Sequence, residues 1–188
     1  MMTASMRHTE QTLRRLSKTQ YDTFCFGRKA VQAVCGLILI GLGIAGGNAV
    51  LSVLCLFAGC WLCMNTDTPA KVRASKVIDS MNGRFPFTCY RFGPAEILLD
   101  AGEDGDGEPQ RIAYASLIRL VEDEGYLYLY ISKLSAYMID KATVAPDAAS
   151  LKALIEKQTG LRWTRPTSFF NFSLRTLLAG CRRPGNPS

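Results

Sequence analysis

The hydrophobic period of the chain changes twice. Residues 1–29 carry Leu13, Leu16, Tyr21, Phe24 and Phe26 among charges, a mixed pattern that fits a short strand or an amphipathic lead-in to an apolar run. Residues 30–66 then contain no Asp, Glu, Lys or Arg. As one helix this run would be about 55 Å long, far more than a hydrocarbon core of roughly 30 Å. Gly46, Gly47 and Asn48 place a turn near its middle, and the halves 30–45 and 49–66 are each close to the shortest span that can cross a bilayer. The pattern predicts a two-helix transmembrane hairpin. Small residues at Gly36, Gly41, Gly43, Ala45, Gly47, Ala58 and Gly59 would let its helices approach closely, with Gly43 and Gly47 as a small-xxx-small pair.

Thr68-Pro69 then reads as a helix start, and Val72, Val77, Ile78 and Met81 give the juxtamembrane segment an apolar face. From Arg84 the period becomes two. Strands are predicted at 85–92, 95–100, 110–114, 117–122, 126–131 and 136–141, separated by turn-forming residues. Alternation is strict in 126–131: Leu127, Leu129 and Ile131 share one face, while Tyr126, Tyr128 and Tyr130 share the other. Such a strand belongs to a sheet with one core face and one wetter face, which makes the tyrosines a candidate binding surface or ordinary cross-strand packing. A helix comes next, with Pro146 and Asp147 in its first turn, Leu151, Leu154 and Ile155 as its stripe and Gly160 as its cap. The fold class is an α+β membrane protein: the hairpin, then an antiparallel β domain with a C-terminal helix. The expected divisions are an N-terminal segment at 1–29, the hairpin at 30–66, a juxtamembrane helix at 67–83, the β domain at 84–163 and an amphipathic or disordered tail at 164–188.

Composition narrows the class. With 188 residues, 48% hydrophobic and 20% charged, the chain is neither disordered nor collagen-like. Its net charge of +6 is concentrated ahead of the apolar run, where Arg7, Arg14, Arg15, Lys18, Arg28 and Lys29 face only Glu10 and Asp22. Lys71, Arg73 and Lys76 stand just beyond it. Arg28, Lys29, Lys71, Arg73 and Lys76 thus flank the run at both ends, placing both termini on the cytoplasmic side of a multi-pass protein of the plasma (inner) membrane. Topology alone accounts for these cations, with lipid recognition as a second reading. No basic stripe with interleaved aromatic residues points to nucleic acid.

Several motifs resemble sites without their context. Gly41-Leu-Gly43-Ile-Ala-Gly46 with Asp67 downstream matches a dinucleotide fingerprint, yet the helix after it lacks a solvated face and the rest of the chain supplies no βαβ units. Cys55, Cys60 and Cys63 have the spacing of iron–sulfur ligands but no fourth thiolate, and neutral cysteine suits an apolar helix. His8 is the single histidine and reads as a solvated tail residue. The acidic loop Glu103-Asp-Gly-Asp-Gly-Glu108 lacks EF-hand spacing and reads as a solvated hairpin tip that would repel anionic lipid. Phe170, Leu174, Leu177 and Leu178 fall on one face of the tail and suggest an interfacial helix. No catalytic residue, metal ligand or cofactor site can be assembled.

The run from Ala113 to Glu122, then Tyr126-Leu-Tyr-Leu-Tyr130, Ala136-Tyr-Met-Ile-Asp-Lys141 and the helix to Ile155 resembles the C-terminal domain of the YcxB-like family of bacterial membrane proteins. The likeness covers residues 84–158 by pattern, and the two-span hairpin fits the family's organisation. It departs at Ile139-Asp140-Lys141, where relatives tend to have Ile-Pro-Lys. The resemblance implies a pleckstrin-homology-like cytoplasmic fold of unknown activity and no catalytic residues. The expected function is non-enzymatic: an integral membrane protein presenting that domain to a partner or to the membrane surface. Expected partners are the lipid bilayer and a protein partner or second copy, without nucleic acid. The alternatives are an accessory subunit of a membrane transport assembly and, last, a membrane-associated enzyme.

Overall fold

The structure, a computed structural model, describes residues 2–101 and 109–166. The acidic loop around Glu103 to Glu108 and the apolar tail around Phe170 to Leu178 lie outside the described residues. The first element is a strand where a leader was expected. β1 (Met2–Arg7) alternates, turning Ala4 and Met6 into the core, and it pairs antiparallel with β2 (Phe87–Phe92) over its whole length, Met2 opposite Phe92 and Arg7 opposite Phe87. Everything between them is therefore an insertion between two neighbouring strands of one sheet. The N-terminal segment at 1–29 does not stand apart from the β domain at 84–163; it supplies that domain's first strand.

The insertion is helical. α1 (Glu10–Phe24) starts at Thr9, whose side chain accepts from the Thr12 backbone N–H while the Thr12 hydroxyl accepts from the Thr9 N–H. This reciprocal cap satisfies two of the donors a helix start leaves open. α2 (Phe26–Ala45) begins after a break at Cys25, and α3 (Ala49–Met64) runs back along it. Gly46 ends α2 in an extended conformation, and the Asn48 side chain caps α3 by accepting from the N–H groups of Val50 and Leu51 at 3.1 and 3.2 Å. The expected turn at Gly46, Gly47 and Asn48 is where the helices reverse. α4 (Thr68–Ser80) has Pro69 in its first turn, meets α3 at 47° and packs against α1.

Glycine sets the distance between α2 and α3. A Cβ added at Gly59 would lie 2.6 Å from the Gly36 carbonyl oxygen, and one added at Gly43 would lie 2.9 Å from that of Ser52. Backbone therefore touches backbone, as in closely packed membrane helices. Gly41 and Gly47 have nothing within 4 Å, so the seam runs through Gly36, Gly43 and Gly59 rather than through a Gly43/Gly47 pair. Gln32 donates across it to the Leu62 carbonyl at 3.2 Å. The glycine fingerprint lies inside α2 and its end, and helix rather than strand leads into it.

Two sheets form the β body. One has the order β1-β2-β3-β4, with β3 at Glu96–Ala101 and β4 at Gln110–Ala113; the other has β7-β6-β5-β8, with β5 at Arg119–Glu122, β6 at Tyr126–Tyr130, β7 at Ala136–Asp140 and β8 at Trp163–Thr164. Pairings are antiparallel except β5 with β8. The six predicted strands are all present within a residue or two, except that the predicted strands at 110–114 and 117–122 each give part of their length to the 3-10 turn and its flank at Tyr114–Leu117. The Tyr90 hydroxyl donates to the Met138 carbonyl at 3.0 Å and ties the sheets together, and burial pushes its phenol pKa up. α5 (Ala148–Thr159) contributes Leu151 and Ile155 to the core, is capped by Asp147 and ends at Gly160 in the left-handed conformation, φ +69°.

Candidate functional site

α1 organises the region where the hairpin meets the β body. It lies along β6 in matched register. Arg15 stacks over the Tyr126 ring at 5.1 Å, Thr19 lies against Tyr128, Thr23 lies against Tyr130 with its own hydroxyl donating to the Thr19 carbonyl at 2.6 Å, and Phe24 meets the Tyr130 ring edge-on at 5.0 Å. Two strand residues advance about 6.7 Å and four helix residues about 6 Å, so a tyrosine at every second position meets a helix residue at every fourth. Tyr128 and Tyr130 are consequently fully buried and Tyr126 half-buried. The wetter face expected for this strand is covered. The tyrosines hold α1 in place, and burial pushes the phenols of Tyr128 and Tyr130 upward.

At the far end of that contact Asp123 collects donors. Its carboxylate accepts from Arg15 at 2.8 Å, from the Tyr128 hydroxyl at 2.7 Å and from the backbone N–H groups of Gly125 and Tyr126. Burial would raise its pKa, but these hydrogen bonds outweigh burial and hold the carboxyl below its usual value. Beside it Lys141 and Lys152 both pair with Glu122, at 3.3 and 2.7 Å, and against its burial hold that carboxyl low as well. A carboxylate fixed in its ionised form by four donors serves as an anchor rather than a proton acceptor.

At the near end, where the apolar run begins and ends, Lys29 is buried and its Nζ pairs with Asp22 at 2.8 Å and with Asp67 at 2.5 Å. Asp67 occupies the N-cap position of α4 without capping it. Three elements converge on this ammonium: the end of α1, the start of α2 and the start of α4. Arg28 next to it is exposed.

Between α1 and α4 lies a cleft of about 370 Å³ lined by Arg14, Arg15, Lys18, Lys71, Asp67, Ala70 and Ala74. Of the residues expected to flank the membrane, the structure gives Lys29 a buried ion pair and Lys71 a place in this cleft. Arg73 and Lys76 are exposed on α4, and Arg73 lines a second cavity with His8, Leu13, Val77 and Leu134. Arg14, Arg15, Lys18, Asp22 and Asp123 were not singled out by sequence because α1 was not legible as a helix. The Thr9 cap and the four-residue spacing of Arg15, Thr19 and Thr23 were the available signals. His8 is a further correction. It is half-buried, its backbone N–H donates to the Pro86 carbonyl at 3.2 Å, and burial lowers its side-chain pKa, so it is not a solvated tail residue. Among the described residues no group of three or more His, Cys, Asp or Glu side chains is arranged to hold a metal ion. Cys63 faces the helix seam and Cys60 faces outward.

Residues 102–157 match the family model of YcxB-like proteins. The match covers β4 to most of α5, the part of the chain on which the sequence pattern rests its resemblance. No curated protein and no solved structure matches the chain.

Proposed function

We propose that this chain is an integral membrane protein whose α2–α3 hairpin sits in the bilayer and holds a pleckstrin-homology-like β body against the cytoplasmic surface. The observation that carries the reading is the outer surface of the hairpin. Val31, Leu37, Ile44, Val50, Phe57, Trp61 and Met64 are between 62% and 82% exposed, in a run with no charged residue. Water does not tolerate an apolar face of that extent, whereas hydrocarbon does. α2 by itself is long and apolar enough to cross a membrane, and α3 qualifies together with the bent α4. Trp61, one turn from Asn65, is placed as an interfacial anchor. The two largely antiparallel sheets with a C-terminal helix support the pleckstrin-homology-like reading, with the hairpin inserted between its first two strands.

The role is non-enzymatic: with Tyr128 and Tyr130 buried, membrane-surface binding is favoured over a partner docked on the tyrosine face. Alkaline carbonate extraction of cell membranes tests the reading. The protein should remain in the pellet, and protease added to inverted membrane vesicles, but not to right-side-out ones, should remove an N-terminal tag. Release into the carbonate supernatant would overturn the membrane assignment.

A further inference from the structure

We propose that the cleft between α1 and α4 binds the headgroup of an anionic phospholipid, with Lys18, Lys71 and Arg14 as the phosphate-binding cations. The proposal rests on the membrane reading above and gives the surface contact a site and a ligand class. It starts from which charges on the cleft wall are already used. Arg15 is held by Asp123 at 2.8 Å and by the Tyr126 ring. Asp67, the acid on the wall, is held by Lys29 at 2.5 Å. Arg14 makes only a 3.7 Å contact with Glu10, both side chains being more than half exposed. Lys18 and Lys71 make no ion pair among the described residues. The cleft thus carries uncompensated positive charge from two helices that face each other. Its floor is Ala70 and Ala74, 4% and 1% exposed, which leaves the volume open because no long side chain fills it. At about 370 Å³ it falls in the range of small-ligand sites, roughly 300–1,000 Å³.

Depth selects a lipid over a soluble anion. Lys29 bonds Asp22 and Asp67 at the boundary of the charge-free run, which marks the edge of the hydrocarbon. Lys18 lies one helical turn from Asp22, and Lys71 one turn from Asp67, about 6 Å along their helices. A bilayer roughly 30 Å thick in its hydrocarbon and about 40–45 Å thick overall leaves about 5–8 Å of headgroup layer on each side. Lys18 and Lys71 therefore lie no more than about 6 Å beyond that edge, within the headgroup layer, and a lipid bound there can lay its chains along the exposed flank of α2 and α3. The apolar hairpin and the basic cleft are two halves of one amphipathic site.

The test uses the full chain in neutral detergent, with lipid binding monitored by native mass spectrometry during titration with phosphatidylglycerol or phosphatidylcholine. Phosphatidylglycerol should bind at least about 10-fold more tightly. The Lys18→Glu/Lys71→Glu double variant should lose about 30-fold or more in that affinity, at about 5-fold for each cation removed. Lys18→Ala/Lys71→Ala should show the same direction without introduced repulsion, and both should keep the wild-type thermal midpoint. Arg73→Glu/Lys76→Glu changes the charge of α4 equally outside the cleft and should leave the preference intact. Equal losses in the two Glu pairs, or no preference for phosphatidylglycerol in the wild type, would overturn the site. Displacement of the lipid by millimolar inorganic phosphate or glycerol 3-phosphate, each binding as tightly without lipid, would assign the cleft to a soluble phosphate and overturn the lipid assignment. Carbonate extraction separates the two failures: a protein that stays in the membrane yet shows no lipid preference loses only this site.

Discussion

Two side chains, His8 just before α1 and Asp123 in the turn between β5 and β6, link the fold to pH in different windows. His8 is held neutral by burial, with a pKa below its usual value of about 6.5. The folded state then binds fewer protons than the unfolded one, so stability is complete above about pH 6.5 and declines as pH falls towards the lowered folded value. His8→Gln should flatten that decline in thermal midpoints taken at pH 7.5, 6.5 and 5.5; an unchanged slope would place the titrating group elsewhere. Asp123 acts lower. Its depressed pKa contributes stability above the ordinary aspartate value, about 4, which is lost as pH falls through the folded value. Asp123→Asn keeps the shape but removes the charge that Arg15 and Tyr128 address, and should cost about 1.5–3 kcal/mol at neutral pH. The same variant should shrink the acid limb below pH 4 to the part that Glu122 carries, and leave the one near pH 6 unchanged.

Helix and strand spacing decide what the tyrosines do. If Tyr126, Tyr128 and Tyr130 formed an exposed recognition surface, truncating any of them would leave stability unchanged. Buried under α1, Tyr130→Ala should cost about 3–5 kcal/mol in chemical denaturation, and half-buried Tyr126→Ala distinctly less. The alternation in 126–131 was legible because Leu127 and Leu129 do face the core. What covers the opposite face was not, because α1 carries Thr12, Ser17, Thr19, Gln20 and Thr23 on its buried surface. Polar residues that donate to backbone carbonyls, as Thr12, Gln20 and Thr23 do, bury without leaving a hydrophobic stripe to read. Gln20, for example, donates to the Lys133 carbonyl at 2.6 Å. The hairpin shows the converse. Its helices and turn were plain from composition, but the seam was not, since seven small residues offer several faces and only tertiary contact selects Gly36, Gly43 and Gly59. Gly59→Val should drive a side chain into the Gly36 carbonyl and lower the thermal midpoint in detergent, while Gly41→Val, with open space around it, should be neutral.

At the scale of the whole molecule the decisive feature is that β1 and β2 are neighbours in the sheet yet lie on opposite sides of the helical insertion. The sequence pattern placed β2 but neither β1 nor this pairing, because Met2–Arg7 is short and its partner begins at Phe87. A body cut at residue 84 therefore lacks both an edge strand and the helix that covers β6. It should be unfolded or aggregated, with a sheet edge and the tyrosine face laid open. The insertion itself is separable at a defined point. Lys29 and Asp67 are joined at 2.5 Å, so the chain leaves towards the hairpin and returns from it at one place. Replacing residues 30–66 with a flexible Gly/Ser linker of about six residues should span that gap easily, at roughly 5–6 Å times the square root of the linker length. The product keeps β1, α1, α4, the Lys29 ion pairs and both sheets while losing the exposed apolar surface. It should be soluble without detergent, unfold cooperatively and show the near-ultraviolet circular dichroism of packed tyrosines. An aggregated or molten product would mean that the hairpin is required to fold the body, and the division of labour between a bilayer anchor and a self-supporting β body would have to be given up.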